Sequence, residues 1–245
     1  MNYIAIIILL SIAGPLIGSL LGIIHRPSKI FLYNLMSFAA GIMLAVAFLK
    51  LIPESIKLSS IWACCISLAA GALLMYAFDR LIPHIHPELY EREQGSTFKR
   101  TAFFLFLGIF LHNFPEGIAM AVGSVTNIKL SLAVALALAL HDIPEGVCTC
   151  APYYYVSKKR LKSFLISAST AIPTLLGFFI AHFVFQNLNL DLIGKILGAT
   201  AGLMIYISAD ELIPASCKKD DKHWNHSTIF SLIAGVLLVI LLGLI

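Results

Sequence analysis

The sequence predicts an all-α membrane protein with eight transmembrane helices. Only 12% of its 245 residues are charged and 59% are hydrophobic, whereas about a quarter of the residues in a soluble domain are charged. The apolar residues form long blocks, and a helix needs about 20 of them to cross the hydrocarbon core of a bilayer. Helices are expected because an unpaired backbone group in lipid is costly.

Eight apolar segments follow one another, and we treat residues 1–245 as a single transmembrane domain. Charged residues, Pro, Ser and Asn mark the short connections between them. The first segment has neither a basic leading region nor a small-residue cleavage site, so we expect a retained helix rather than a signal peptide. The predicted spans are 2–24, 30–52, 61–82, 101–123, 130–152, 163–186, 194–215 and 227–245.

Basic residues are distributed unevenly between the two ends of these spans. The connections 25–29, 80–100, 153–162 and 216–226 contain 13 of the 17 Lys and Arg residues. Because an excess of Lys and Arg marks cytoplasmic loops, we expect these connections in the cytoplasm and both termini outside it. The chain is thus predicted to be a multi-pass protein of the plasma or inner cell membrane. The basic loops account for the net charge of +4, which requires no nucleic-acid partner.

The cysteines form no recognisable disulfide framework. No CxxC pair occurs, and four of the five cysteines lie in predicted spans, so we expect no structural disulfide. The five are Cys64, Cys65, Cys148, Cys150 and Cys217.

A short pattern, AG separated by nine residues from LIP, occurs three times. The copies begin at Ala40, Ala70 and Ala201. The first and third copies also share a Met and a Ser at the same spacing, and the charge distribution orients their spans in opposite directions. This predicts an inverted repeat, a common plan of transporters. Chance recurrence of small helix-packing residues is the alternative.

Two polar hexapeptides interrupt the fourth and fifth apolar segments. They read HNFPEG at 112–117 and HDIPEG at 141–146, with the same order of residue types 29 positions apart. Residues three or four apart share one face of a helix, and successive spans run in opposite directions, so the two polar faces can meet near mid-membrane. The candidate ligands are His112, Asn113, Glu116, His141, Asp142 and Glu145.

Three of these candidates are carboxylates, and neither helix core contains Lys or Arg as a counter-charge. Ionisable residues inside a span are costly and mostly face a polar interior. A divalent cation would supply the counter-charge, and imidazole with carboxylate suits Zn²⁺, Fe²⁺ and similar ions. Hydrogen bonds between helices are the alternative role. Pro115 and Pro144 each release a backbone carbonyl, and Gly117 and Gly146 leave room beside the ligands.

At these residues the sequence resembles the ZIP (Zrt/Irt-like) family of divalent metal transporters, near its bacterial GufA-like branch. The two hexapeptides carry the resemblance, together with AAGIMLAVAFLKLIPES, AGALLMYAFDRLIPHIH and ATAGLMIYISADELIP. The resemblance covers essentially the whole chain. It implies eight helices in a 3+2+3 inverted-repeat arrangement, import of Zn²⁺ and possible transport of Fe²⁺, Mn²⁺ or Cd²⁺, and a homodimer. We expect no organic cofactor.

The resemblance also assigns the six hexapeptide residues to one transport site. In family members that bind two metals there, Glu116 and Glu145 would bridge the ions, and a Glu before a Pro in the sixth helix would complete the second position. Ile172 stands at that place in STAIPT. We therefore expect one tightly held metal with any second ion bound weakly, and replacement of Ile172 by Glu should add a second metal.

Acidic and histidine residues also stand at the predicted cytoplasmic ends of the third and seventh spans. The resemblance implies an exit site there, although solvated helix ends are the alternative. The candidate exit residues are Asp79, His84, His86, Asp210 and Glu211.

The sequence leaves two other functions open. A channel-like or non-transporting membrane protein that binds metal would show the same motifs. An intramembrane metalloenzyme is disfavoured, because the sequence contains no His-Glu-x-x-His stretch. We therefore expect no enzymatic activity.

Overall fold

The backbone is helical through the part of the chain that the structure describes. The computed structural model describes residues 3–24, 27–81, 112–121, 128–217 and 226–243. These ranges contain helices, π-helical turns and short connections, and no strand. The predicted all-α class is confirmed for these residues.

We number the helices in chain order. Two π-helical turns, Ala47–Leu51 and Ser208–Leu212, join α2 to α3 and α9 to α10 without a break. The helices are α1 (Tyr3–Ile24), α2 (Lys29–Val46), α3 (Ile52–Leu58), α4 (Ile61–Leu81), α5 (112–121), α6 (Ile128–Ser157), α7 (Arg160–Ala168), α8 (Ala171–Phe185), α9 (Leu190–Ile207), α10 (Ile213–Ser216) and α11 (His226–Leu242).

Six described segments are long and apolar enough to cross a membrane, as expected for a multi-pass membrane protein. α11 is apolar but 17 residues long, and most of the predicted fourth span lies outside the described residues. The predicted second and fifth spans end too early, because the helix continues to Leu58 and Ser157. The predicted sixth span is broken at Ser169 and Thr170. The six segments are Tyr3–Ile24, Lys29–Leu58, Ile61–Arg80, Ile128–Ala151, Arg160–Phe185 and Leu190–Ser216.

Two of the helices begin at equivalent caps. Ser28 Oγ accepts a hydrogen bond from the backbone N–H of Phe31 (3.2 Å), and Asn189 Oδ1 accepts one from that of Leu192 (2.8 Å). Such side-chain oxygens satisfy N–H groups that a helix start leaves unpaired. Ser28 and Asn189 are 161 residues apart, and the same offset separates the two π-helical turns.

The same offset relates the close helix contacts of α2 and α9. Gly41 of α2 packs against the carbonyl oxygen of Leu232 in α11, and Gly202 of α9 packs against that of Leu68 in α4. A Cβ atom at either glycine would collide with the opposite oxygen, so the small residue is needed for this close approach. The pair α9–α4 therefore repeats the pair α2–α11.

The two equivalent segments run in opposite directions. Ser227 Oγ donates a hydrogen bond to Asn34 Oδ1 (2.9 Å), which places the starts of α11 and α2 together. At the far end of the α2–α3 segment, Ser55 Oγ donates to the carbonyl oxygen of Gly194 (2.6 Å), near the start of α9. α9 therefore starts where its equivalent segment ends, which is the relation expected of an inverted repeat.

The copy of the AG–LIP pattern that begins at Ala70 is not equivalent to the other two. α4 is α-helical throughout and has no π-helical turn. Gly71 packs against the carbonyl of Ala199 as Gly235 of α11 packs against that of Phe38, so Gly71 corresponds to Gly235. The pattern at Ala70 is thus not part of the repeat, and small residues recur wherever two helices approach closely.

Helices α1, α2, α7 and α11 pack against α6, which carries the second hexapeptide. Gly14, Gly18 and Gly22 lie on one face of α1 and contact α6. A Cβ atom at Gly14 would lie 2.7 Å from Cβ of Asp142. The glycines of α1 therefore allow the close approach that fixes the position of α6 at Asp142.

Candidate metal centre

α5 and α6 bring the six candidate ligands of the two hexapeptides to one place inside the protein. Four of them have no exposed surface, His112 is 6% exposed, and the side chain of Glu145 is 13% exposed. Burial of three carboxylates is very unfavourable unless charges or hydrogen bonds compensate for it. The four fully buried residues are Asn113, Glu116, His141 and Asp142.

Glu116 lies at the middle of the cluster. Its Oε1 atom is 3.2 Å from Nε2 of His141 and 3.9 Å from Nε2 of His112. Ligand atoms of Glu116, His141, Asp142 and Glu145 all lie within 4.8 Å of one another, and the same holds for His112, Glu116 and His141. A Zn²⁺ ion lies about 2.0–2.2 Å from its nitrogen and oxygen ligands. A small contraction of these side chains would place their ligand atoms at that distance from an ion at the centre of the cluster.

A contact from α2 orients the imidazole of His141. Its Nδ1 atom lies 3.2 Å from the carbonyl oxygen of Ala39. Because a carbonyl only accepts hydrogen bonds, this contact assigns a proton to Nδ1, and Nε2, which faces the carboxylates, is the ring nitrogen available to a metal ion. A second hydrogen bond of this kind commonly orients a metal-binding histidine and fixes its tautomer.

Asn113 is oriented by the connection between α7 and α8. Its Nδ2 atom donates a hydrogen bond to the carbonyl oxygen of Thr170 (3.0 Å). The Oδ1 atom of the same amide has no hydrogen-bond partner. An amide oxygen in this position can bind a cation.

Each of the six candidate ligands has at least one buried polar side-chain atom that makes no hydrogen bond. Buried polar atoms of this kind are rare in folded proteins. A cation among them would satisfy the nitrogen lone pairs and neutralise the carboxylates. The nine atoms without a partner are His112 Nε2, Asn113 Oδ1, Glu116 Oε1 and Oε2, His141 Nε2, Asp142 Oδ1 and Oδ2, and Glu145 Oε1 and Oε2.

Residues outside the hexapeptides hold the centre together, and the sequence did not single them out. Ala39 and Thr170 act through backbone carbonyls, which leave no mark in a sequence. Gly177 of α8 packs against the carbonyl oxygen of Phe114, so α8 lies directly on α5. Only the glycine spacing in α1, which includes Gly14, was a signal that could have been recognised.

Ile172 does not occupy a ligand position. Its side chain is 53% exposed, on the outer surface of α8. In this structure the position assigned from STAIPT is therefore exposed rather than among the six candidate ligands, and the helix that carries it begins after the break at Ser169 and Thr170. Thr174 faces inward instead, is fully buried, and its Oγ1 has no hydrogen-bond partner.

The candidate exit residues are only partly described. Asp79 of α4 accepts a hydrogen bond from Tyr206 Oη of α9 (3.0 Å), and Asp210 and Glu211 lie in the π-helical turn one helical turn beyond Tyr206. Among the described residues, these three acids do not form a group of metal-ligand dimensions. His84 and His86 lie outside the described residues.

The sequence of this chain is similar to those of known proteins. A profile described as ZIP Zinc transporter matches residues 86–243, which is more than half of the chain. The chain is also 33% identical over 240 residues to the zinc transporter ZupT of Salmonella heidelberg (strain SL476) and to that of Salmonella newport (strain SL254). Each alignment covers 94% of this chain and 92% of the relative. This chain belongs to the ZIP zinc transporter family.

Membership of the ZIP family agrees with the helical, apolar architecture and with the buried cluster of metal-binding side chains. The protein is a multi-pass membrane transporter of metal ions and not an enzyme. The bacterial relatives named above are the kind of protein that the hexapeptides had indicated.

Proposed function

We propose that this ZIP protein carries Zn²⁺ across the membrane through the centre formed by the six hexapeptide residues. The observation that carries the proposal is the set of nine buried atoms without partners. Three carboxylates, two imidazoles and one amide oxygen form a donor set of borderline hardness, which suits Zn²⁺ and admits Fe²⁺, Mn²⁺ or Cd²⁺. The names of the relatives favour zinc.

The proposed direction is into the cytoplasm. The distribution of Lys and Arg favours a cytoplasmic position for the ends of the protein near Ser28 and Ser157, with both termini on the other side. Eight spans in a 3+2+3 arrangement fit this topology, and the repeated contacts of α2 and α9 support the inverted repeat. We also propose a homodimer, on the family resemblance alone.

The proposed exit site lies between α4 and the second π-helical turn. Asp79, Asp210 and Glu211 supply negative charge there, and His84 and His86 follow α4 in the sequence. Carboxylates near the end of a path attract a cation that leaves the central site. The Tyr206–Asp79 hydrogen bond would have to give way when Asp79 binds metal through that oxygen.

Zinc uptake into vesicles tests the proposed function. The full-length protein is reconstituted in lipid vesicles, and uptake of radioactive zinc is compared for the parent and for Glu116→Gln. Loss of uptake in a folded Glu116→Gln protein is the expected result, because the variant removes the central charge with little change in shape. Glu54→Gln is the matched control, since Glu54 pairs with exposed Lys57 (3.2 Å) away from the centre. Uptake by Glu116→Gln near the parent rate would overturn the proposal.

A further inference from the structure

The break between α7 and α8 contacts both helices that carry the hexapeptides. Pro173 has no N–H for the carbonyl of Ser169 four residues earlier, and that carbonyl accepts a hydrogen bond from the N–H of Ile172 instead (3.0 Å). Ser169 and Thr170 form a turn at this point. We call residues 167–170, the end of α7 and this turn, the α7–α8 junction. None of its four residues is among the six candidate ligands.

The α7–α8 junction is attached to α5 at a candidate ligand. The carbonyl oxygen of Thr170 accepts a hydrogen bond from Nδ2 of Asn113 (3.0 Å). The helix that follows the junction packs closely on α5, because a Cβ atom at Gly117 would collide with the carbonyl oxygen of Thr174 in α8. The junction and the start of α8 are therefore held against the first hexapeptide.

The α7–α8 junction is attached to α6 beside another candidate ligand. Ser167 Oγ donates a hydrogen bond to the carbonyl oxygen of Gly146 (3.0 Å), the residue that follows Glu145. The same Oγ lies 2.7 Å from Oγ1 of Thr149 in α6 and accepts a hydrogen bond from Oγ of Ser19 in α1 (2.7 Å). Ser167 is 1% exposed, so water does not compete for these hydrogen bonds. They are electrostatically stronger there than they would be in water.

We propose that Ser167 is a positioning residue for the metal centre, because it holds α6 at a fixed distance from α5. The proposal rests on the function proposed above. Ser167 and Thr170 are three residues apart in one segment, and their hydrogen bonds fasten Gly146 and Asn113 to it. The junction thereby sets the separation between Asn113 on α5 and Glu145 on α6. Ligands of a metal site must be held within about 0.5 Å of the productive geometry.

A purely structural role for Ser167 is the alternative, because serine hydroxyls commonly join helices inside membranes. Both roles predict that Ser167→Ala loses thermal stability, and only a positioning role predicts a change in the geometry of the bound metal. Ser163→Ala is the matched control. Ser163 is a buried serine one turn earlier in α7, and its Oγ donates to the carbonyl oxygen of Lys159 (2.8 Å) and lies 3.2 Å from Oγ of Ser157.

Visible absorption of bound Co²⁺ tests the proposal, because it depends on the number and arrangement of the ligands. Purified full-length protein is titrated with Co²⁺, and the absorption lost in Glu116→Gln is assigned to the metal centre. We expect Ser167→Ala to change this absorption and to weaken zinc binding about tenfold or more, as is typical when a group that orients ligands is removed. Ser163→Ala should match the parent in both. Parent absorption that does not depend on Glu116 would overturn the metal centre itself, and the role of Ser167 with it.

Hydrogen exchange of the parent protein gives a second test that does not depend on whether a variant folds. Zinc should slow exchange of the amide hydrogens of Ser169 and Thr170, because the α7–α8 junction is attached to both helices that hold the ion. The amide of Ser163 is the internal reference and should respond less.

Two outcomes would overturn the role of Ser167 while leaving the metal centre intact. One is a Ser167→Ala protein with the cobalt absorption and zinc affinity of the parent, even if its thermal stability is lower. The other is found in the parent protein that binds zinc through Glu116: exchange at Ser169 and Thr170 that zinc slows no more than exchange at Ser163.

Discussion

Nδ1 of His141 lies 3.2 Å from the carbonyl oxygen of Ala39, so a backbone group of α2 sets the orientation of a candidate metal-binding side chain of α6. The contact directs Nε2 of His141 to Glu116, 3.2 Å away. The centre on α5 and α6 is therefore completed by a helix of the inverted repeat. His141 is therefore the closer of the two histidines to this carboxylate, because Nε2 of His112 lies 3.9 Å from the same Glu116 oxygen.

Replacement of His141 by Ala should weaken zinc binding by about tenfold or more, because it removes a ligand that is already oriented. Equilibrium binding of zinc to purified protein measures this. His182→Gln is the matched control: His182 is also a buried histidine, but it stacks on Phe178 and lies within 3.2 Å of Gln186 rather than near the carboxylates. Equal loss of affinity in both variants would contradict the assignment of His141.

Zinc affinity should fall as the pH is lowered from about 7.5 to about 5.5. Metal and protons compete for the imidazoles and carboxylates of the centre, so binding of the ion releases protons and acid opposes it. Zinc dissociation constants measured across this range test the prediction. A constant that does not change with pH would argue that the histidines are not ligands.

Ile172→Glu should leave the number of bound metal ions unchanged, because that side chain lies on the outer surface of α8. Thr174→Glu should increase it, since Thr174 is buried and its Oγ1 has no partner. Metal content after equilibration in zinc distinguishes the two variants. A second ion gained by Ile172→Glu and not by Thr174→Glu would show that the sequence assignment was right and the orientation found here was wrong.

Gly14→Ala should weaken zinc binding and lower thermal stability, by about 1–3 kcal/mol of unfolding free energy for an overpacked contact. The added Cβ would meet Asp142 at 2.7 Å, so the effect reaches a ligand. Leu16→Ala in the same helix is the control, because Leu16 is 37% exposed. If Leu16→Ala reduced zinc affinity as much as Gly14→Ala does, the close contact would not be the cause.

The sequence predicted the centre better than its surroundings. The six candidate ligands share helix faces within two hexapeptides, so their spacing alone predicted that they lie together. The supporting contacts of Ala39 and Thr170 could not be predicted, because backbone carbonyls from distant helices carry no residue signature. The exposure of Ile172 was not predicted either, although Pro173 signals a helix break at this point, because it has no N–H to donate to the carbonyl of Ser169 four residues earlier.

The repeat was only partly predictable. The segments that contain Gly41 and Gly202 begin at equivalent caps and contain equivalent π-helical turns, all separated by 161 residues. The AG–LIP pattern predicted that these two segments are equivalent. Gly71 fits the same pattern by composition and yet packs as the counterpart of Gly235. The helices that each glycine contacts in the structure, and not the sequence pattern, distinguish Gly71 from Gly41 and Gly202.

Anomalous X-ray scattering at the zinc edge, from crystals of the full-length protein equilibrated with zinc, tests the central claim most directly. We expect one fully occupied peak within bonding distance, about 2.0–2.2 Å, of Glu116 and His141, and loss of that peak in Glu116→Gln. Peaks confined to other places, such as Asp79 or Asp210, with none among the six hexapeptide residues, would contradict the proposed metal centre.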